Sequence, residues 1–122
     1  MADWVKIGGI ITHSDFDICS MQYTLVICDI EGAKRELLDL EKAPELLQAD
    51  ILAESHECND AGLTETLRQR FARTHDIETL GRAVERPALP AWMDRLSDLD
   101  RLIVQWEWRA GPTPWLWMRR KS

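Results

Sequence analysis

The chain has 122 residues, of which 45% are hydrophobic and 30% are charged, and its formal net charge is −6. This length is typical of one domain, and the composition excludes the polar, charge-rich class of disordered proteins. The longest apolar run, residues 24–28, is far shorter than the roughly 20 residues of a membrane-spanning helix, so we expect no membrane segment.

The charge is unevenly distributed along the sequence. Residues 1–60 carry 13 acidic and 4 basic side chains, whereas residues 61–122 carry 8 acidic and 11 basic ones. An acidic half and a mildly basic half therefore share one chain, and each half favours partners of the opposite charge.

The cysteines and the first residues indicate a cytoplasmic location. Cys19, Cys28 and Cys58 form an odd set without a C-x-x-C pair, which predicts neither a disulfide framework nor a zinc knuckle. The first residues lack the basic start and apolar block of a secretory signal, because Asp3 and Lys6 interrupt them. We therefore expect a protein of the reducing cytoplasm.

The first half of the chain predicts two strands followed by two helices. Residues 4–12 show the alternation of a strand, and residues 21–30 are rich in side chains that suit a pleated sheet. We expect these strands to pair antiparallel because consecutive strands are usually neighbours. Leucines among charged residues predict a short helix over residues 33–40, and Pro44 predicts the start of a second helix over residues 44–56.

The middle of the chain predicts three more helices. Leu63, Leu67 and Phe71 recur every four residues, which is the spacing of one helix face. Further along, Gly81 is a weak point, and Pro90 begins the last helix. The three predicted helices cover residues 63–73, 77–84 and 90–99.

The clearest periodic pattern lies near the end of the chain. Residues 101–110 alternate without interruption, residues 111–114 are turn formers, and residues 115–121 return as a strand, so the pattern predicts a β-hairpin. Isolated hairpins are marginally stable, and one shared sheet avoids this. We therefore predict a single-domain α+β fold, with about four antiparallel strands and four or five helices packed on one face.

Four tryptophans of the predicted hairpin are candidate partner-binding residues. Each strand of the hairpin places one pair on one face, and the two pairs can meet across the strands. Large aromatic side chains most often belong to a core, but tryptophan is also enriched at the centres of protein interfaces, and an exposed tryptophan face equally fits a homodimer. The residues are Trp106, Trp108, Trp115 and Trp117.

Acidic residues of the predicted helices are the second candidate surface. Repeated carboxylates can imitate the charge of a phosphate backbone and occupy a basic groove on another protein, although many helices carry such charges only for contact with solvent. The residues are Glu36, Asp39, Glu41, Glu45, Glu54 and Glu57.

Two other classes of function stay open. Direct nucleic-acid binding would use a helix-turn-helix over residues 63–86 together with the basic C-terminal hairpin, but acidic residues at the start of its second helix disfavour it. An enzyme would need a site assembled from dispersed residues such as His13, Asp15 and Glu107. No catalytic, metal-binding or cofactor-binding residue is predicted, because the G-x-S-x-G, G-x-x-x-x-G-K-[ST], H-E-x-x-H and dinucleotide-binding motifs do not occur and His13-x-Asp15-x-Asp17 is typical of a solvated turn.

The sequence therefore predicts a small, acidic, non-enzymatic module that binds a protein partner. A basic, nucleic-acid-binding protein is the partner that the charge pattern favours, with inhibition or regulation of a nucleic-acid-handling complex as the sharpest version of the hypothesis. Small accessory proteins of phages and mobile elements often have this composition.

Overall fold

The computed structural model describes residues 5–81, 89–105, 111 and 113–122, and the strands of these residues form one four-stranded sheet. The strands are β1 (Thr24–Cys28), β2 (Ala49–Glu54), β3 (His75–Leu80) and β4 (Trp115–Arg120). The α-helices are α1 (Ile18–Met21), α2 (Lys34–Leu37), α3 (Leu63–Phe71) and α4 (Asp98–Gln105). Short 3-10 turns cover His13–Asp17, Pro44–Gln48 and Ala91–Arg95. None of the helices in these ranges combines the length and the apolar character needed to cross a membrane.

The sheet has the strand order β1-β2-β4-β3 and is mixed. β1 runs parallel to β2, with Thr24 opposite Ala49. β4 lies between β2 and β3 and is antiparallel to both, so that Met118 has Ile51 on one side and Ile77 on the other. Three strands therefore point in one direction, and the carboxyl ends of β1 and β2 meet at the same edge of the sheet.

The core lies around the two central strands and helix α3. β2 is buried along nearly its whole length, as expected of an interior strand covered on both faces. Leu63, Leu67 and Phe71 recur every four residues on α3 and are all at most 2% exposed. They join Leu116 and Met118 of β4 in one hydrophobic cluster.

The predicted α+β class and the four-stranded sheet are confirmed. Helix α3 lies within the predicted range 63–73, and β1 and β4 lie within the predicted strands 21–30 and 115–121. The prediction of a wholly antiparallel sheet is wrong, because β1 and β2 are parallel. The connection over residues 29–48, which includes α2, provides the crossover that a parallel pair requires.

The predicted strand over residues 4–12 is not formed by residues 5–12, the described part of that range. Gly8 and Gly9 lie at its centre and contribute no side chain to pack on a sheet. Their neighbours Ile7 and Ile10 are 79% and 95% exposed. β1 pairs with β2 instead of with this segment.

Two predicted helices are wrong, and the two errors have different reasons. Within residues 44–56, a single 3-10 turn is followed by β2, whose helix-forming residues pair with β1 on one side and β4 on the other. Within residues 77–84, Ile77 and Thr79 belong to β3, where β-branched side chains suit a pleated surface.

The predicted hairpin is also wrong, because residues 101–105 belong to helix α4. Ser97 begins this helix, since its Oγ accepts a hydrogen bond from the backbone N–H of Asp100 at 3.2 Å and donates one to the Asp100 carboxylate at 2.7 Å. Leu99, Leu102 and Ile103 then follow at helical spacing. The remainder of the predicted strand, residues 106–110, lies outside the described residues.

Candidate functional site

Four polar side chains meet at the carboxyl ends of the two parallel strands and form what we call the polar cluster: Asp29, Lys34, Glu54 and His56. Asp29 directly follows β1, Lys34 begins α2, and Glu54 ends β2 with His56 two residues beyond. Adjacent parallel strands present their carboxyl ends at one edge of the sheet, which is where ligands commonly bind in α/β proteins.

Local backbone structure sets the direction of these side chains. Gly32 has a φ of +74°, a left-handed conformation that returns the chain from β1 into α2 and suits glycine. Ser55 is held by its backbone N–H, which donates to the carbonyl of Pro114 at 2.7 Å, and by a hydroxyl contact with Thr64 at 2.7 Å. Glu54 and His56, on either side of Ser55, belong to the same buried region.

The distances within the polar cluster are short. Nε2 of His56 lies 3.2 Å from Oε2 of Glu54 and 3.7 Å from Oδ1 of Asp29. Nδ1 of the same ring lies 2.6 Å from Nζ of Lys34. The imidazole therefore stands between two carboxylates and one amine.

The polar cluster is buried except at Asp29. Lys34, Glu54 and His56 are at most 3% exposed, whereas the side chain of Asp29 is 53% exposed. Burial lowers the pKa of Lys34 below its usual range, against the opposing attraction of Cys28, Asp29 and Glu54. Carboxylates, an imidazole and a buried amine in contact can bind a cation or pass a proton, and solvent reaches them from the Asp29 side.

A second feature is an apolar groove of about 800 Å³ whose lining includes residues 26–28 of β1. It lies between residues 9–12 and β1, and Glu36 is the one acidic residue in its lining. Ten of the 17 exposed large hydrophobic side chains of the described residues fall within residues 5–30, among them Leu25 and Ile27 of β1 itself. We call the outer side of β1 and this groove the β1 edge.

The tryptophans predicted to bind a partner lie in two different settings. Trp115 and Trp117 are half-buried on β4, whose two sides are both occupied by neighbouring strands. Trp106 and Trp108 lie outside the described residues. Trp115 and Trp117 thus lie on an interior strand of the sheet.

The acidic residues predicted to form one surface are dispersed instead. Glu54 is buried in the polar cluster, and Glu57 accepts backbone hydrogen bonds at the start of α3. Glu36 forms an ion pair with Lys42, and the Asp39 carboxylate lies 3.8 Å from the guanidinium of Arg70. Glu41 is exposed and Glu45 is half-buried.

The alternative sites also differ from their predictions. A helix-turn-helix over residues 63–86 is wrong, because the segment after the turn is strand β3. Arg70, a basic residue of the same segment, donates hydrogen bonds to the backbone carbonyls of Arg35 and Leu38. In the predicted turn of residues 13–17, Asp15 accepts hydrogen bonds from the backbone N–H and the hydroxyl of Thr12. These hydrogen bonds lower the pKa of Asp15.

Sequence reasoning missed the polar cluster because it assigned Glu54 and His56 to a helix. The signal that could have found them is a polar residue directly after each of two apolar runs, Asp29 after residues 24–28 and Glu54 after residues 51–53. Comparison of the chain with protein-family models, with curated proteins and with solved structures found no match.

Proposed function

We propose that the chain is a protein-binding module that takes an extended segment of a partner protein onto the β1 edge. The observation that carries this proposal is that β1 pairs with β2 on one side only, and that its other side has no partner strand among the described residues. An exposed strand edge offers backbone N–H and C=O groups to which another chain can add as a further strand.

The two edges of the sheet differ in a way that favours β1. β3, the other edge strand, carries the exposed charged residues Asp76 and Glu78, and charges of this kind discourage pairing with a further strand. β1 has the sequence Thr-Leu-Val-Ile-Cys and no charge. β1 is therefore the edge that lacks this protection.

The groove supplies the contacts that side chains of an added strand would need. Leu25 and Ile27 are 48% and 64% exposed on one face of β1, and Val26 and Ile27 both line the groove. Contiguous apolar surface of this kind is typical of an interaction site. Alternate apolar side chains of an extended segment would be buried there.

The charges around the β1 edge favour a segment flanked by basic residues. Residues 5–33 contain four acidic side chains, all of them exposed, and Lys6 is the one basic side chain of that range. The acidic residues are Asp15, Asp17, Asp29 and Glu31. A basic partner, such as a protein that handles nucleic acid and is regulated by this module, fits that charge.

We place this interaction in the cytoplasm. Cys19, Cys28 and Cys58 are thiols, and Cys58 is exposed at the surface. An exposed thiol suits a reducing compartment.

The test is the binding of fluorescent synthetic peptides, measured by anisotropy on the purified full chain. The probe alternates valine and threonine and has lysines at both ends, and its matched partner has glutamates there. We expect the lysine-ended peptide to bind more tightly. Ile27→Ser should weaken it by roughly tenfold, since burying the exposed part of an isoleucine contributes about 1 to 2 kcal/mol.

Trp92→Ser is the matched control, because Trp92 is 64% exposed, the same as Ile27, and does not line the groove. It should leave the affinity unchanged. Equal effects of the two substitutions, or no binding of either peptide, would contradict the proposal. Light scattering measures the oligomeric state of the chain without peptide. A stable dimer that Ile27→Ser dissociates would show that a second copy of the chain occupies the β1 edge, and this result would overturn the proposal.

A further inference from the structure

We propose that Asp29, Glu54 and His56 form a binding site for one divalent transition-metal ion, with Zn²⁺ as the ion that their ligand atoms fit. Among the described residues these three offer one ligand atom each, and all three atoms lie within 4.8 Å of one another. The inference concerns the polar cluster and does not depend on what binds the β1 edge.

The separations between the ligand atoms match those around a shared ion. Two ligands bound to one Zn²⁺ ion at about 2.1 Å with a tetrahedral angle lie roughly 3.4 Å apart. Nε2 of His56 is 3.2 Å from the Glu54 carboxylate and 3.7 Å from the Asp29 carboxylate. An ion between them would replace these direct contacts with bonds of ordinary length.

The chemistry of the ligand atoms also fits. One imidazole nitrogen and two carboxylate oxygens form a mixed nitrogen and oxygen set that suits Zn²⁺, and the two carboxylates balance its charge. The second nitrogen of the ring, Nδ1, lies 2.6 Å from Nζ of the buried Lys34. An ion on Nε2 requires the ring proton to be on Nδ1, and an ammonium cannot accept that proton, so Lys34 would have to turn away or act as a neutral amine when the ion binds.

The two parts of the site differ in burial. Glu54 is buried at the end of β2 and His56 is buried two residues beyond it. Asp29 is 53% exposed, so its carboxylate has space on the solvent side to adjust toward an ion. Three protein ligands leave a fourth position, which would face solvent on the Asp29 side, as in zinc sites that bind a water or a substrate.

The experiment measures Zn²⁺ binding to the full chain, after chelator treatment and dialysis, by competition with a chromogenic chelator. All proteins carry Cys58→Ser, because an exposed thiol two residues from His56 can hold Zn²⁺ by itself. We expect one equivalent of Zn²⁺ per chain. Asp29→Asn and Glu54→Gln should each raise the dissociation constant at least about tenfold.

Glu31→Gln is the matched control, an exposed acidic residue two positions from Asp29, and it should leave the dissociation constant unchanged. Asp29→Asn keeps the test valid if Glu54→Gln does not fold, because Asp29 is half exposed. A second readout is the thermal midpoint, which should rise with added Zn²⁺ in the parent and not in Asp29→Asn. Failure to retain Zn²⁺, or retention that neither ligand substitution weakens, would overturn the site.

Discussion

His75 is a buried histidine, and its burial favours the neutral form of the ring. It is 1% exposed, its Nε2 donates to the backbone carbonyl of Ala49 at 2.8 Å, and its ring stands edge-on to that of Phe71. Nδ1 lies 2.9 Å from the hydroxyl of Thr74, which can donate to it. Burial lowers the pKa of His75 below its usual range, against the opposing effect of the hydrogen bond to the Ala49 carbonyl.

The lowered pKa predicts a loss of stability in mild acid. The unfolded chain takes up a proton at His75 as the pH falls through about 6.5, while the folded chain resists it, so the free energy of unfolding should decrease below that pH by at most about 1.4 kcal/mol per pH unit. NMR titration of the His75 ring, together with urea unfolding between pH 7 and pH 5, measures both quantities. A ring that titrates at or above the usual value would contradict this account.

At the scale of single elements, helix α3 depends on an acidic residue that precedes it. The carboxylate of Glu57 accepts hydrogen bonds from the backbone N–H groups of Gly62 and Thr64 at 2.5 and 3.0 Å, and from the Thr64 hydroxyl. The first N–H groups of a helix have no partner within the helix, so Glu57 satisfies two of them. The same bonds lower the pKa of Glu57.

Glu57→Ala should therefore lower the free energy of unfolding by about 1 to 2 kcal/mol, which is the usual cost of losing a helix cap. Urea denaturation followed by circular dichroism measures the change. Glu65→Ala, at an exposed position in the first turn of α3, is the matched control and should cost less than about 0.5 kcal/mol. Similar losses in the two variants would show that Glu57 does not act as a cap.

The elements that sequence patterns predicted correctly are those in which local preference and burial agree. Helix α3 has one apolar face, and β1 is a short run of strand-forming side chains. β2 was predicted as part of a helix because Pro44 suits the first position of a helix and because a strand buried on both faces shows no alternation. Its pairing partners, β1 and β4, are distant in sequence, so no local pattern could indicate the strand.

At the scale of the whole molecule, the strand order predicts where the backbone is most protected. β4 is hydrogen-bonded on both sides, whereas the amides of β1 that point away from β2 have no strand partner among the described residues. Native-state hydrogen exchange should therefore be slowest for Leu116 and Met118 and at least a hundredfold faster for the outward amides of β1, roughly the effect of a 3 kcal/mol difference in opening energy. Equally slow exchange in β1 and β4 would contradict the assigned edge.

The sequence predicted the class of fold and the acidic character of the first half, but neither candidate site. The polar cluster requires the parallel pairing of β1 and β2, which brings Asp29 and Glu54 together across 25 positions of the chain. The β1 edge requires the strand order, because the apolar run of residues 24–28 reads equally well as an interior strand. Both sites thus depend on strand pairing between segments that are distant in sequence.

The central position of β4 has a consequence for biosynthesis. Of the four strands, β4 is the last to leave the ribosome, although β2 and β3 both pair with it and not with each other. A nascent chain that has exposed residues up to 80 therefore carries two strands, β2 and β3, that still lack their partner β4 and are prone to association with other chains. The four-stranded sheet cannot be complete before residues 115–120 are available. Between the synthesis of β3 and that of β4, we expect a chaperone to be most useful in preventing association of the chain.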